Sequence, residues 1–203
     1  MKKAYIIAMT LAGVCLALLV QGQDVAGNLE KARNAYGSGD LQASRYALQQ
    51  ALADVDQALG REILSLLPTE IESLPYREDE DQVTSNAAGI TGMYVNRAYR
   101  NEKQSLEVEL IDDSPLLGTI NRLLSLPAFM GIGDPNQKRI KIQGYKGLLE
   151  KNTHDSTGVV NYQIQVPFNK SLFTFRSVGF DSENQVIGMA ERLPLKAIVR
   201  MTR

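Results

Sequence analysis

The chain has 203 residues, with 22 Lys and Arg, 23 Asp and Glu, one His, one Cys and no Trp, for a formal net charge of −1. Hydrophobic residues make up 44%, enough for a packed core and too many for general disorder. The balanced charge excludes the concentrated basic face that nucleic-acid binding uses. A single His and a single Cys leave no material for an internal disulfide or a Cys/His zinc site.

Residues 1–22 read as an export leader. Lys2 and Lys3 open it, residues 4–20 are uncharged and mostly apolar, and Gln21-Gly22-Gln23-Asp24 restores polarity. Val20 and Gly22 are small enough for cleavage before Gln23. An uncleaved anchor through residues 4–20 is the alternative, because that stretch sits at the lower limit for spanning a bilayer. Cys15 does not fit a lipidation signal, since β-branched Val14 precedes it and a further apolar run follows. Removing the leader takes away the one Cys, which suits an oxidising compartment. Losing Lys2 and Lys3 also makes the remaining chain more acidic.

Residues 23–67 have helical spacing. Val25, Leu29, Ala32 and Tyr36 recur at three- and four-residue intervals, and Gly37-Ser38-Gly39-Asp40 breaks the run, with Asp40 placed to cap the next helix. There Ala47, Leu48, Ala51, Leu52, Val55, Ala58 and Leu59 form the expected core stripe, with Gln49, Gln50, Asp54 and Gln57 facing out. Gly60 is read as an interruption before Ile63, Leu64, Leu66, Leu67 and Pro68. Two antiparallel helices with a short Gly-rich turn make an αα-hairpin. Ala35-Tyr36, Gly39-Asp40-Leu41, Leu48, Ala51 and Leu52, with small Ala32 and Ser44, resemble a tetratricopeptide repeat. Only one unit is present, whereas stacked repeats need several to bury a continuous core. The hairpin is therefore expected to pack on something else as scaffold.

Residues 68–83 read as an acidic linker, bounded by Pro68 and Pro75 and carrying Arg77-Glu78-Asp79-Glu80-Asp81-Gln82. The alternating oxygen ligands and central Gly of a calcium loop are absent from it. Residues 84–203 then alternate as strands do. The segments around Val95–Tyr99 and Leu106–Leu110 form a hairpin, and Asp113-Ser114-Pro115 starts a helix carrying Leu116, Leu117, Ile120, Leu123 and Leu124. Strands follow around Ile140 and Ile142, Leu148 and Leu149, Val160 to Val166 and Leu172 to Val178. Pro167-Phe168-Asn169-Lys170 is the expected connector, and Asp181-Ser182-Glu183-Asn184 opens a last helix that Pro194 breaks. The order ββαββββα, with short connections, predicts an α+β fold: an N-terminal αα-hairpin followed by an antiparallel sheet covered by helices, two of them on one face. The order, with Asp-Ser-Pro-Leu-Leu at 113–117 and Lys-Arg-Ile-Lys-Ile-Gln-Gly-Tyr-Lys-Gly at 138–147, resembles small exported bacterial proteins of unknown function. Their shape is similar to the PsbP-like α+β sandwich. The resemblance implies export and a compact non-enzymatic domain, and it supplies no catalytic residues.

The residues themselves give no catalytic, cofactor-binding or metal set. His154 lies in a polar loop beside Asp155 and Ser156, and sequence neighbours in a loop rarely converge as a triad. Gly131-x-Gly133 lacks a third glycine, and no phosphate-binding loop occurs. Glu70, Glu72, Asp112, Asp113 and Asp181 are the candidates for a carboxylate pair in a hydrolase, although Asp113 and Asp181 are also placed as helix caps. Asp155-Ser156-Thr157 resembles the short site at which some exported bacterial proteins are O-glycosylated, on Ser156. Phe129, Met130 and Ile132 lie in an apolar, glycine-punctuated segment that is a candidate docking loop. The expectation is an exported, periplasmic or secreted, non-catalytic binding or accessory module. Its partner would be a protein or small ligand of the envelope, with no nucleic acid and no cofactor, and with membrane contact only through an uncleaved leader. A carboxylate-based envelope hydrolase and a membrane-tethered protein are the alternatives.

Overall fold

The computed structural model describes residues 24–85, 92–125, 136–153 and 158–202. The leader lies outside them. The chain has the expected mixed α+β fold, with a helix pair followed by an antiparallel sheet and helices.

Helix α1 (Val25–Gly37) begins at Asp24, whose carboxylate accepts the Gly27 amide at 2.9 Å. Asp40 caps α2 (Leu41–Leu66) in the same way through Ala43. Gly39, at φ +81°, makes the reversal between the helices. Small side chains then let them approach, with Ala32, Ser44, Ala47 and Ala51 buried and the Ser44 hydroxyl donating to the Ala32 carbonyl at 3.0 Å.

Helix α2 continues through Gly60, contrary to the expected interruption. A Cβ there would lie 2.4 Å from Val83 Cγ1, so the missing side chain is what lets the sheet close on the helix. Residues 68–83 are structured rather than a solvated tether. They form strands β1 (Glu70–Ile71) and β2 (Leu74–Pro75), a single 3-10 turn, and β3 (Gln82–Ser85), which pairs with the large sheet.

Among the described residues the large sheet has seven strands. After β3 come β4 (Met93–Arg100), β5 (Ser105–Asp112), β6 (Gln137–Ile142), β7 (Tyr145–Thr153), β8 (Val160–Phe168) and β9 (Ser171–Val178), in spatial order β3-β4-β5-β9-β8-β7-β6. All pairings are antiparallel. Gln143 and Gly144, both at positive φ, turn β6 into β7, as a two-residue hairpin requires. Pro167 and Phe168 belong to β8 rather than to the connector, and Asn169, at φ +49°, turns directly into β9. Pro167 lacks an amide hydrogen, but it lies beyond the last β8 residue paired with β7, so no ladder bond is lost.

One sheet face carries Val95, Leu106, Val108, Leu110, Ile164, Phe173 and Phe175. It is covered by the second half of α2 together with α4 (Glu183–Glu191) and α5 (Leu195–Met201), the latter formed after Pro194. Helix α3 (Leu117–Ser125) corrects the one-face expectation. Its Ile120 packs on Leu148 and Leu172, which strand alternation puts on the opposite face. The expected caps shift by one residue, because Ser114 accepts at the start of α3 and Ser182 at the start of α4, in place of Asp113 and Asp181.

Candidate functional site

Several candidates from the sequence, namely Ser156, Phe129, Met130 and Ile132, together with His154, Asp155 and Gly131-x-Gly133, lie outside the described residues. The five carboxylates fall at three places. Glu72, in the β1–β2 turn, pairs with Arg192 across a pocket of about 120 Å³ that Glu70 also lines. That volume is well below what encloses a small organic ligand. Asp112 accepts the Ser171 hydroxyl at 2.8 Å, next to Asp113. Asp181 offers its backbone carbonyl to the Tyr162 hydroxyl at 3.3 Å. Among the described residues no group of three acid, His or Cys side chains is arranged to hold a metal ion.

Charged groups inside the fold are tied to one another. Arg97, on β4, is buried and held on two sides: Nε donates to Asp81 Oδ1 at 2.9 Å and Nη1 to the Leu67 carbonyl at 3.1 Å. The guanidinium carbon lies 4.5 Å from the Tyr76 ring centroid. Beside it the Tyr99 hydroxyl donates to the Pro68 carbonyl at 2.8 Å, and burial raises its pKa above the ordinary phenol value. These contacts fasten the end of α2 and the 68–81 segment to the sheet.

On the opposite sheet face Arg176 makes a second network. Nη1 donates to Glu107 Oε2 at 3.1 Å and to Glu109 Oε2 at 3.2 Å, and Nη2 donates to Glu109 Oε1 at 3.2 Å. The Tyr94 hydroxyl also donates to Glu109, at 3.4 Å. Burial, then the Glu109 and Glu107 charges, push the Tyr94 phenol up to about 12, so it is a fixed donor at neutral pH. Arg176 pairs with both glutamates, and the Glu107–Arg176 contact is a direct cross-strand pair between β5 and β9. The one-letter pattern gave no sign of this set, because it depends on β5 pairing with β9, sixty-odd positions away.

A different surface stands out on the helix pair. The expected core stripe of α2 is only partly buried: Ala47 and Ala51 are inside, whereas Leu48, Leu52 and Val55 are exposed. The buried set on α2 is Ser44, Ala47 and Ala51 toward α1, and Ala53, Gly60, Ile63 and Leu64 toward the sheet. Gln49, Gln50, Asp54 and Gln57, expected to face out, are half-buried, and Asp54 accepts from the Asn28 amide at 2.9 Å. Leu29, Tyr36, Leu41, Leu48, Leu52 and Val55 are each between 46% and 69% exposed. Contacts from Ala32 to Ser44 and from Asn28 to Asp54 set the helices antiparallel. At 100° per residue, Leu29 and Tyr36 then share one broad face with the α2 row. Scattered exposed Leu residues are ordinary, whereas here six large exposed apolar side chains share one face of the helix pair.

No protein-family model matches the chain, and comparison with curated proteins finds no match.

Proposed function

We propose that this chain is an exported, non-catalytic binding module of the bacterial envelope that engages protein through the apolar face of its helical hairpin. The observation that carries the reading is the exposed row Leu29, Tyr36, Leu41, Leu48, Leu52 and Val55. The engagement of Arg97, Asp81, Arg176, Glu107 and Glu109 in fold-holding contacts supports it from the other side. The leader-like residues 1–22 supply the export part. Covering a half-exposed Leu is worth about 1 kcal/mol. The whole row yields several kcal/mol, comparable to the association cost of about 4–15 kcal/mol, so the partner's own apolar surface supplies the surplus.

The test expresses the full chain and follows it through envelope fractionation. The mature protein is expected to begin at Gln23 and to leave the cytosol. Retention of Met1 in a cytosolic protein contradicts export. Protein contacts trapped by crosslinking are expected to disappear in Leu48→Glu/Leu52→Glu while a control at exposed Tyr46 keeps them, and an unchanged pattern contradicts the binding face.

A further inference from the structure

The partner is legible in the way charge flanks the apolar row. Along α2 the exposed row runs Leu41, Leu48, Leu52 and Val55, with Arg45 beside it. That spacing is compatible with the seam of paired helices. Arg45 makes no hydrogen bond or ion pair among the described residues. Among the described residues Asp56 receives one hydrogen bond, from the Ser85 hydroxyl at 3.1 Å, and the negative charges of Asp112 and Asp113 bear on it. On the helical wheel Arg45 and Asp56 lie on the same flank of the row, the flank remote from α1.

From this self-complementary pattern we infer that the apolar hairpin face binds a second copy of the same chain, α2 against α2, antiparallel about a twofold axis between Leu48 and Leu52. Antiparallel helices bring like flanks together, so Leu48 meets the partner's Leu52 and Arg45 meets the partner's Asp56. Parallel pairing would instead set unlike flanks together and part Arg45 from the partner's Asp56. Since Asn28 reaches Asp54 and Ala32 holds Ser44, Leu29 sits close to level with the axis, and both α1 helices join a four-helix arrangement. Each contact occurs twice, as an isologous interface requires. This inference rests on the binding face proposed above and names its occupant.

The experiment measures the mass of the mature chain by light scattering across a concentration series, with circular dichroism confirming that every variant is folded. The wild type is expected to pass from one chain to two as concentration rises. Arg45→Asp, and separately Asp56→Arg, are expected to weaken pairing by about tenfold or more, because each sets like charges together at two places. The double exchange Arg45→Asp/Asp56→Arg is expected to restore it. A wild type that stays at one chain throughout, or a double exchange that fails to recover, overturns the inference. If the chain stays single while Leu48→Glu still removes crosslinks to other envelope proteins, self-pairing falls and the binding face stands. A single chain whose crosslinks ignore Leu48→Glu overturns both.

Discussion

The two halves of α2 belong to one unbroken helix with one apolar periodicity, yet only one half is covered. From Ala53 onward Gly60, Ile63 and Leu64 lie against β3 and β4, and the Leu67 carbonyl just beyond is held by Arg97. Ahead of it the buried residues of α2 are the small Ser44, Ala47 and Ala51 toward α1, and Leu41, Leu48 and Leu52 stand in solvent. Apolar spacing therefore carries quite different energies in the two halves. In the second it builds the core, and in the first it builds a surface.

The largest effect is expected at the anchor of the covered half. Arg97→Ala leaves Asp81 without its cation and the Leu67 carbonyl without its donor, in surroundings where both partners are largely buried. A loss of about 3–5 kcal/mol in urea unfolding is expected, and a loss under about 1 kcal/mol would show the anchor to be dispensable. A matched pair sharpens the contrast next. Ile63→Ala, at a site only 1% exposed, is expected to cost about 2–5 kcal/mol. Leu52→Ala, measured in dilute protein, is expected to stay within about 0.5 kcal/mol of wild type, and equal costs for the two would erase the distinction.

The smallest effect concerns Asp56, near the junction of the halves. Burial raises its pKa above 3.8, the Ser85 hydrogen bond opposes this, and the charges of Asp112 and Asp113 add to the rise. Between the unfolded and folded values the native state holds a proton that the unfolded chain has lost, so stability increases as pH falls through that window. Asp56→Asn removes the cost of ionisation. It is expected to raise the unfolding temperature slightly at neutral pH, with the difference vanishing below 3.8. A difference that grows in acid would reverse the sign of this account.

Much of the sheet was legible from local pattern, because Leu106, Val108 and Leu110, or Tyr162, Ile164 and Val166, alternate on strands with one core face. Strand β3 was hidden because it is a half-exposed edge with Val83 as its one large apolar residue, directly after an acidic run. That run reads as solvated until Asp81 is seen against Arg97, a pairing that only the folded register creates. The same holds for Arg176 between Glu107 and Glu109. In α2 a helical stripe was evident, but periodicity does not say what covers it. The usable clue was size: the small row Ser44, Ala47 and Ala51 marks the close helix contact, and the adjacent row of large residues is the one left over.

The central claim, that the first half of α2 is a docking face and the second half is core, is tested most directly by amide hydrogen exchange along α2 of the mature chain at low and high protein concentration. Amides of residues 60–66 are expected to be slow at both concentrations, whereas those of residues 41–55 slow as concentration rises. Exchange in residues 41–55 that is indifferent to concentration, or protection gained instead on the Arg176 face of the sheet, would contradict it.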